Sequence, residues 1–108
     1  MKKLLIIVVI AISVISSCKK EEVKPVVCDF SIDYPVTYVG LNVEFTNLSE
    51  NAVTFEWNFG DGNGGSILEN PIHSFEQPGT YFVSLVVYNE ISNDYKIDTV
   101  VVHEMQEF

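Results

Sequence analysis

The sequence contains no arginine and only two cysteines, and two of its six lysines lie within the first three residues. Each shortage removes a class of function. Nucleic-acid binding draws its sequence-independent affinity from cations that neutralise phosphates. Beyond residue 17 only Lys19, Lys20, Lys24 and Lys96 stand against fifteen carboxylates, so DNA and RNA are excluded as partners. The same field repels anionic headgroups, and any hold on a membrane has to be covalent. Cys18, Cys28, His73 and His103 lack the clustered spacing of a zinc site. No serine occupies a G-x-S-x-G elbow. The glycine-rich stretch 60–65 has no Lys-Ser or Lys-Thr after it to cradle a phosphate. Its Asp61 opening resembles a calcium loop, but Ile72 stands where an EF-hand needs glutamate. The expectation is a protein without catalysis, cofactor or resident metal.

A long hydrophobic run is missing too. Residues 4–15 form an apolar stretch interrupted by Ser13, short of the about 20 residues that span a bilayer. With Lys2 and Lys3 in front, residues 1–17 have the form of an export signal. What is left is one small domain, too small for a deep cleft between subdomains. The tetrad Ile15-Ser16-Ser17-Cys18 resembles the lipobox of bacterial lipoproteins. That resemblance implies acylation of Cys18 and stable membrane attachment by more than one chain. The alternative is an ordinary signal cleaved nearby, with Cys18 free or bridged to Cys28. Lys19, Lys20, Glu21 and Glu22 follow. They resemble a surface-export tag of outer-membrane lipoproteins, or are a solvated part of a tether over residues 18–27.

From residue 28 onward no segment has helical spacing, and Ala52 is the only alanine. Short alternating runs take its place, which is an all-β pattern. Cys28, Phe30 and Ile32 face one way in a first strand, and Leu41, Val43 and Phe45 in a second. Phe55, Trp57 and Phe59 give the third a strongly aromatic inner face. Tyr81, Val83, Leu85 and Val87 line a long penultimate strand, and Ile97, Thr99 and Val101 the last. Asn63 with Gly64 suits positive φ in a tight turn. Strands this short with one apolar face each call for two packed sheets.

Three motifs occur in order: Trp57-Asn58-Phe59-Gly60-Asp61-Gly62, then Pro71-Ile72-His73-Ser74-Phe75, then Gly79-Thr80-Tyr81-Phe82-Val83-Ser84-Leu85. Together they resemble the PKD (polycystic kidney disease) domain, with its W-x-F-G-D-G turn, P-x-H-x-[FY] segment and G-x-Y-x-V-x-L strand. The resemblance implies an immunoglobulin-like β-sandwich of about seven strands over residues 28–104. It also implies a module that accompanies catalytic domains without being one. Some PKD domains hold calcium through loop carboxylates, a role that here falls on Asp61 and a neighbour. Trp57 brings the largest apolar area to the core, and Gly60 and Gly62 permit a sharp strand exit. Asp61 is placed to accept turn amides. His73 is expected as a structural hydrogen-bonder, Tyr81 as a core ring with its hydroxyl at the sheet margin, and Cys28 as a small inward hydrophobe.

One feature exceeds what packing requires. With Tyr81, Val83, Leu85 and Val87 inward, Phe82, Val86 and Tyr88 point outward. Val100 and Val102 of the last strand are expected beside them, making a candidate partner surface. The alternatives are β-propensity on an exposed strand or cover from the acidic tail. The reading is a lipid-anchored interaction module that binds a protein or glycan at the bacterial outer membrane or cell surface. A structural accessory subunit facing the periplasm is the other.

Overall fold

The computed structural model describes residues 22–106, and the export signal, Cys18 and residues 19–21 lie outside them. Eight strands follow one another without a helix among the described residues: β1 (Phe30–Ile32), β2 (Val36–Tyr38), β3 (Asn42–Asn47), β4 (Thr54–Asn58), β5 (Gly65–Ser66), β6 (Ile72–Ser74), β7 (Gly79–Tyr88) and β8 (Asn93–His103). They form a three-stranded sheet in the order β1-β3-β6 and a five-stranded sheet in the order β2-β8-β7-β4-β5. All pairs are antiparallel except β2 with β8. This is the expected immunoglobulin-like sandwich. The strands for which the sequence offers no alternating run are β2, β5 and β6, which are two or three residues long.

The core lies where the two inner faces meet. Phe30, Val43, Phe45 and Phe75 come from the smaller sheet and its exits; Trp57, Phe59, Val83, Leu85, Val87, Val100 and Val102 come from the larger. Trp57 ties the layers together. Its ring lies 5.0 Å from Phe30, edge-on, and 5.5 Å from Phe45, and its indole N–H donates to the Leu68 carbonyl at 2.9 Å. The polar end of the largest apolar side chain is thus satisfied at the sandwich rim. Leu41 differs from the expected pattern. It is exposed, because Gly40 at φ 83 turns the chain and β3 begins only at Asn42.

β1, β4 and β8 begin, and β3 and β7 end, at one end of the sandwich, the base; the opposite end is the crown. At the base the chain before β1 is held against the sandwich over residues 24–27, part of the span 18–27 expected as a tether, while residues 18–21 lie outside the described residues. Val26 is buried, and its amide donates to Ser92 Oγ at 2.9 Å. Asn89 Nδ2 donates to the Lys24 carbonyl at 2.7 Å and Asn51 Nδ2 to that of Pro25 at 3.0 Å. Val27 and Glu50 form a β-bridge.

Candidate functional site

Cross-strand partners in an antiparallel pair share a face. β7 and β8 are paired over ten positions, with Phe82 opposite Thr99, Ser84 opposite Ile97, Val86 opposite Tyr95 and Tyr81 opposite Val100. Because Val83, Leu85 and Val87 are fully buried, the alternate residues of β7 turn outward. Phe82 is 65% exposed, while Val86 and Tyr88 are half-buried. These three are where the sequence places them.

Val100 and Val102 are not. They are 0% and 2% exposed and belong to the core, since their partners Tyr81 and Gly79 lie on the inward alternation. Ile97, Thr99 and Val101, expected inward, lie on the outer face, and a one-residue slip in a period of two reverses every side chain. The cause is visible in the first half of β8. Its inward positions there are Asp94, Lys96 and Asp98, not apolar residues. Two of them face the segment entering β1 instead of the core. Asp94 accepts the Cys28 amide at 2.8 Å. Lys96 Nζ donates to Asp29 at 2.8 Å and to the Phe30 carbonyl at 3.1 Å, and lies 5.0 Å above the Phe30 ring.

The true outer face of β7 and β8 therefore gains Tyr95 and Ile97, exposed at 66% and 55%, which sequence reasoning missed. Val36 and Tyr38 of β2 extend it beside Val101 and His103. On β4, Glu56, Asn58 and the nearby Ile67 line a shallow groove with Ser84 and Val86. Glu56 is the single carboxylate at an outward strand position of this sheet. It accepts the Tyr88 hydroxyl at 2.9 Å, which raises the phenol's pKa, since the proton is held against a negative charge. In a chain with fifteen carboxylates, such a face is selectively depleted of charge. Phe82 is open to solvent among the described residues.

The crown carries the other polar cluster. His73 Nε2 lies 2.6 Å from Asp61 Oδ2, and Asp61 Oδ1 accepts the Asn63 amide at 3.1 Å. The imidazole stacks on Phe59 at 4.0 Å and meets Phe75 edge-on. Burial pushes the Asp61 carboxyl up, but the hydrogen bonds from His73 and the Asn63 amide outweigh it and leave the pKa below the usual value. Both oxygens of Asp61 are thus engaged in holding the turn. Positive φ falls on Gly60, Gly62 and Gly64, not on Asn63. Tyr81 stacks on Phe75 at 4.6 Å and donates its hydroxyl to the Gln77 carbonyl at 2.6 Å. Such a tyrosine, early on the penultimate strand and bonded a few residues back, is a corner lock of immunoglobulin-like sandwiches. Cys28 is half-buried with its thiol toward the Leu85 carbonyl, and desolvation raises its pKa, away from thiolate reactivity. Among the described residues no three His, Cys, Asp or Glu side chains are grouped to hold a metal.

The sequence model of the PKD domain matches residues 24–103. Among solved structures, the chain is similar to the PKD1 domain of Vibrio anguillarum Epp, at 27% identity over 78% of this chain and 100% of that one, with a TM-score of 0.65. The PKD1 domain of the Vibrio cholerae metalloprotease PrtV is 28% identical over 73% of this chain and 98% of that one, with a TM-score of 0.63. A structure of carbohydrate-binding modules of the β-sandwich superfamily shares the fold at a TM-score of 0.69. It is 24% identical over 78% of this chain, which spans 36% of that one.

Proposed function

The chain belongs to the PKD domain family, and from that premise we propose that it is a lipid-anchored interaction module of the bacterial envelope. Domains of this family are generally non-catalytic binding or structural modules, and no enzymatic family is indicated. In this reading Cys18 is acylated and ties the domain to the outer membrane. The outer face of the five-stranded sheet then binds a protein.

The observation that carries the reading is the exposure of Phe82, Tyr95 and Ile97 on a face with one carboxylate. Interface centres are depleted of charge and enriched in aromatic residues, and a contiguous exposed apolar area on a small domain marks a contact. A glycan is the second reading. The open rings of Phe82 and Tyr95 beside the groove of Glu56, Asn58 and Ser84 favour it, because sugars stack on rings and bond to adjacent polar groups.

Photocrosslinking from position 82 on intact cells, with Tyr95→Ser and Ile97→Ser as the paired loss-of-contact variant, tests the site. One defined protein adduct that disappears in the variant, while the melting temperature holds, supports the protein reading. An adduct unchanged by the variant removes this face as the site. Protease accessibility before and after permeabilising the outer membrane, with Cys18→Ala as the anchor control, separates a surface module from a periplasmic subunit.

A further inference from the structure

We propose that the base of the sandwich is a membrane-contact surface that rests, through Val23, Val53 and Ile91, on the zwitterionic lipid surface to which the chain is tied. The inference rests on the reading of Cys18 as the acylated residue.

Three observations lead to it. The first is where the chain enters. Lys24 and Pro25 are fixed at the base by Asn89 and Asn51, and Val26 is buried there. Six peptide steps from Cys18 to Lys24 reach at most about 20 Å. The eleven residues of β8 run roughly 36 Å toward the crown. The base is therefore the end that the anchor holds at the bilayer.

The second is what the base exposes. Val53 is 71%, Ile91 57% and Val23 41% exposed. Val23 and Val53 border the same open cleft as Asn51, Tyr88 and Asn89. Ile91 stands at the tip of the β7–β8 hairpin, where Asn89 Oδ1 accepts the amides of Ile91 and Ser92 and fixes the turn. Hairpin tips favour Gly, Asn, Asp and Ser. An isoleucine there, and a valine in the facing loop, have no packing role within the domain.

The third is charge. Glu22 and Glu90 line the cleft that Val23 and Val53 border, with Lys24 as the cation among them. That set is repelled by anionic lipid and tolerates a zwitterionic surface. The contact is a shallow apolar one, and it stands the five-stranded sheet upright with its outer face open to the side.

Hydrogen exchange tests this on the full chain produced in a bacterium, placed on phosphatidylcholine vesicles and compared with the Cys18→Ala protein free in solution. Residues 51–53 and 89–92 are expected to exchange severalfold more slowly when anchored, with residues 60–64 unchanged. Joint Val53→Ser and Ile91→Ser substitution should return the base to the free rates while the protein stays on the vesicles. Adding phosphatidylglycerol should weaken the protection. Equal rates at base and crown, or protection that survives the double substitution, overturns the proposal. The mass of the N-terminal peptide reports acylation separately. If Cys18 carries no lipid, the anchor reading fails by itself. Coupling Cys18 to a maleimide phospholipid in a Cys28→Ser background then supplies the tie, and the same exchange comparison decides the contact.

Discussion

The two ends of the sandwich are closed by different means. At the crown the motif turns close over short spans: the Asn63 amide lies two positions from Asp61, Tyr81 reaches back four to Gln77, and His73 meets Asp61 across twelve. At the base, the bonds join residues far apart. Val26 to Ser92 and Cys28 to Asp94 each span 66 positions, and Asn89 to Lys24 spans 65. The motif turns of the crown thus depend on local backbone shape, although the Val39 amide also reaches the His103 carbonyl there, while the base needs residues 24–28 to meet the β7–β8 hairpin. Closing the base therefore costs more loop-closure entropy than closing the motif turns of the crown.

The strongest way to break this contrast is at Gly60. It sits at φ 77, and a Cβ there would collide with the carbonyl of Phe82 on the neighbouring strand. Neither the dihedral nor the backbone contact can relax cheaply. Gly60→Ala is expected to cost about 3 kcal/mol, measured as a loss in urea-unfolding free energy. At the base, Asn89→Ala removes the donor to Lys24 and Asn51 and the acceptor for the hairpin amides. These groups are solvent-accessible, so water replaces part of the loss, and about 1 to 2 kcal/mol is expected. Exchange of the Val26 amide, bonded to Ser92, should accelerate in Asn89→Ala and stay native-like relative to global opening in Gly60→Ala. Equal acceleration in both would mean that the ends are one cooperative unit.

This contrast explains what was legible in the sequence. The crown is encoded in contiguous motifs, so the strand exit at Gly60, the marginal hydroxyl of Tyr81 and a hydrogen-bonding His73 are legible, while the partners Gln77 and Asp61 are not. The strong alternation of Val83, Leu85 and Val87 likewise fixes Phe82, Val86 and Tyr88 as outward. β8 misleads because its base half is built for the long-range bonds. Asp94 and Lys96 sit inward to hold the entering segment, and they shift the apparent apolar phase onto Ile97 and Val101. Val100 and Val102 were accordingly expected on the surface, and Tyr95 and Ile97 went unrecognised. No local pattern announces that Asp94 will meet Cys28 or that Lys96 will lie over Phe30. That information exists only in the register of β7 against β8.

Acid sharpens the comparison through the two carboxylates whose pKa values are lowered, Asp61 at the crown and Asp29 at the base. A carboxyl whose folded pKa lies below its unfolded value, about 3.9 for aspartate, stabilises the fold fully above that value. The contribution is lost as pH falls through the folded pKa. Stability should therefore decline below about pH 4. Asp61→Asn removes the titration at the crown. Its denaturation midpoint should be lower at neutral pH and fall less steeply into acid than that of the parent. Parallel pH profiles for the two proteins would show that Asp61 is not a source of the slope.

The smallest effect belongs to the ion pair at the base. Asp29 owes its lowered pKa first to the hydrogen bond from Lys96 and then to its charge, but both side chains are well exposed, at 52% and 36%. Pairs of that kind contribute little and are screened by salt. Lys96 also sets its ammonium 5.0 Å from the centroid of the Phe30 ring, which packs edge-on against Trp57, and the side chain as a whole shields that ring from water. Lys96→Met keeps the stem and removes the charge. It should shift the unfolding midpoint only slightly, and the shift should vanish in high salt. Lys96→Ala should leave a larger, salt-independent loss, because it strips cover from Phe30 as well. If the two substitutions are equally costly and equally salt-sensitive, charge and not cover is what Lys96 supplies. The base is then held electrostatically, where the crown is held by shape.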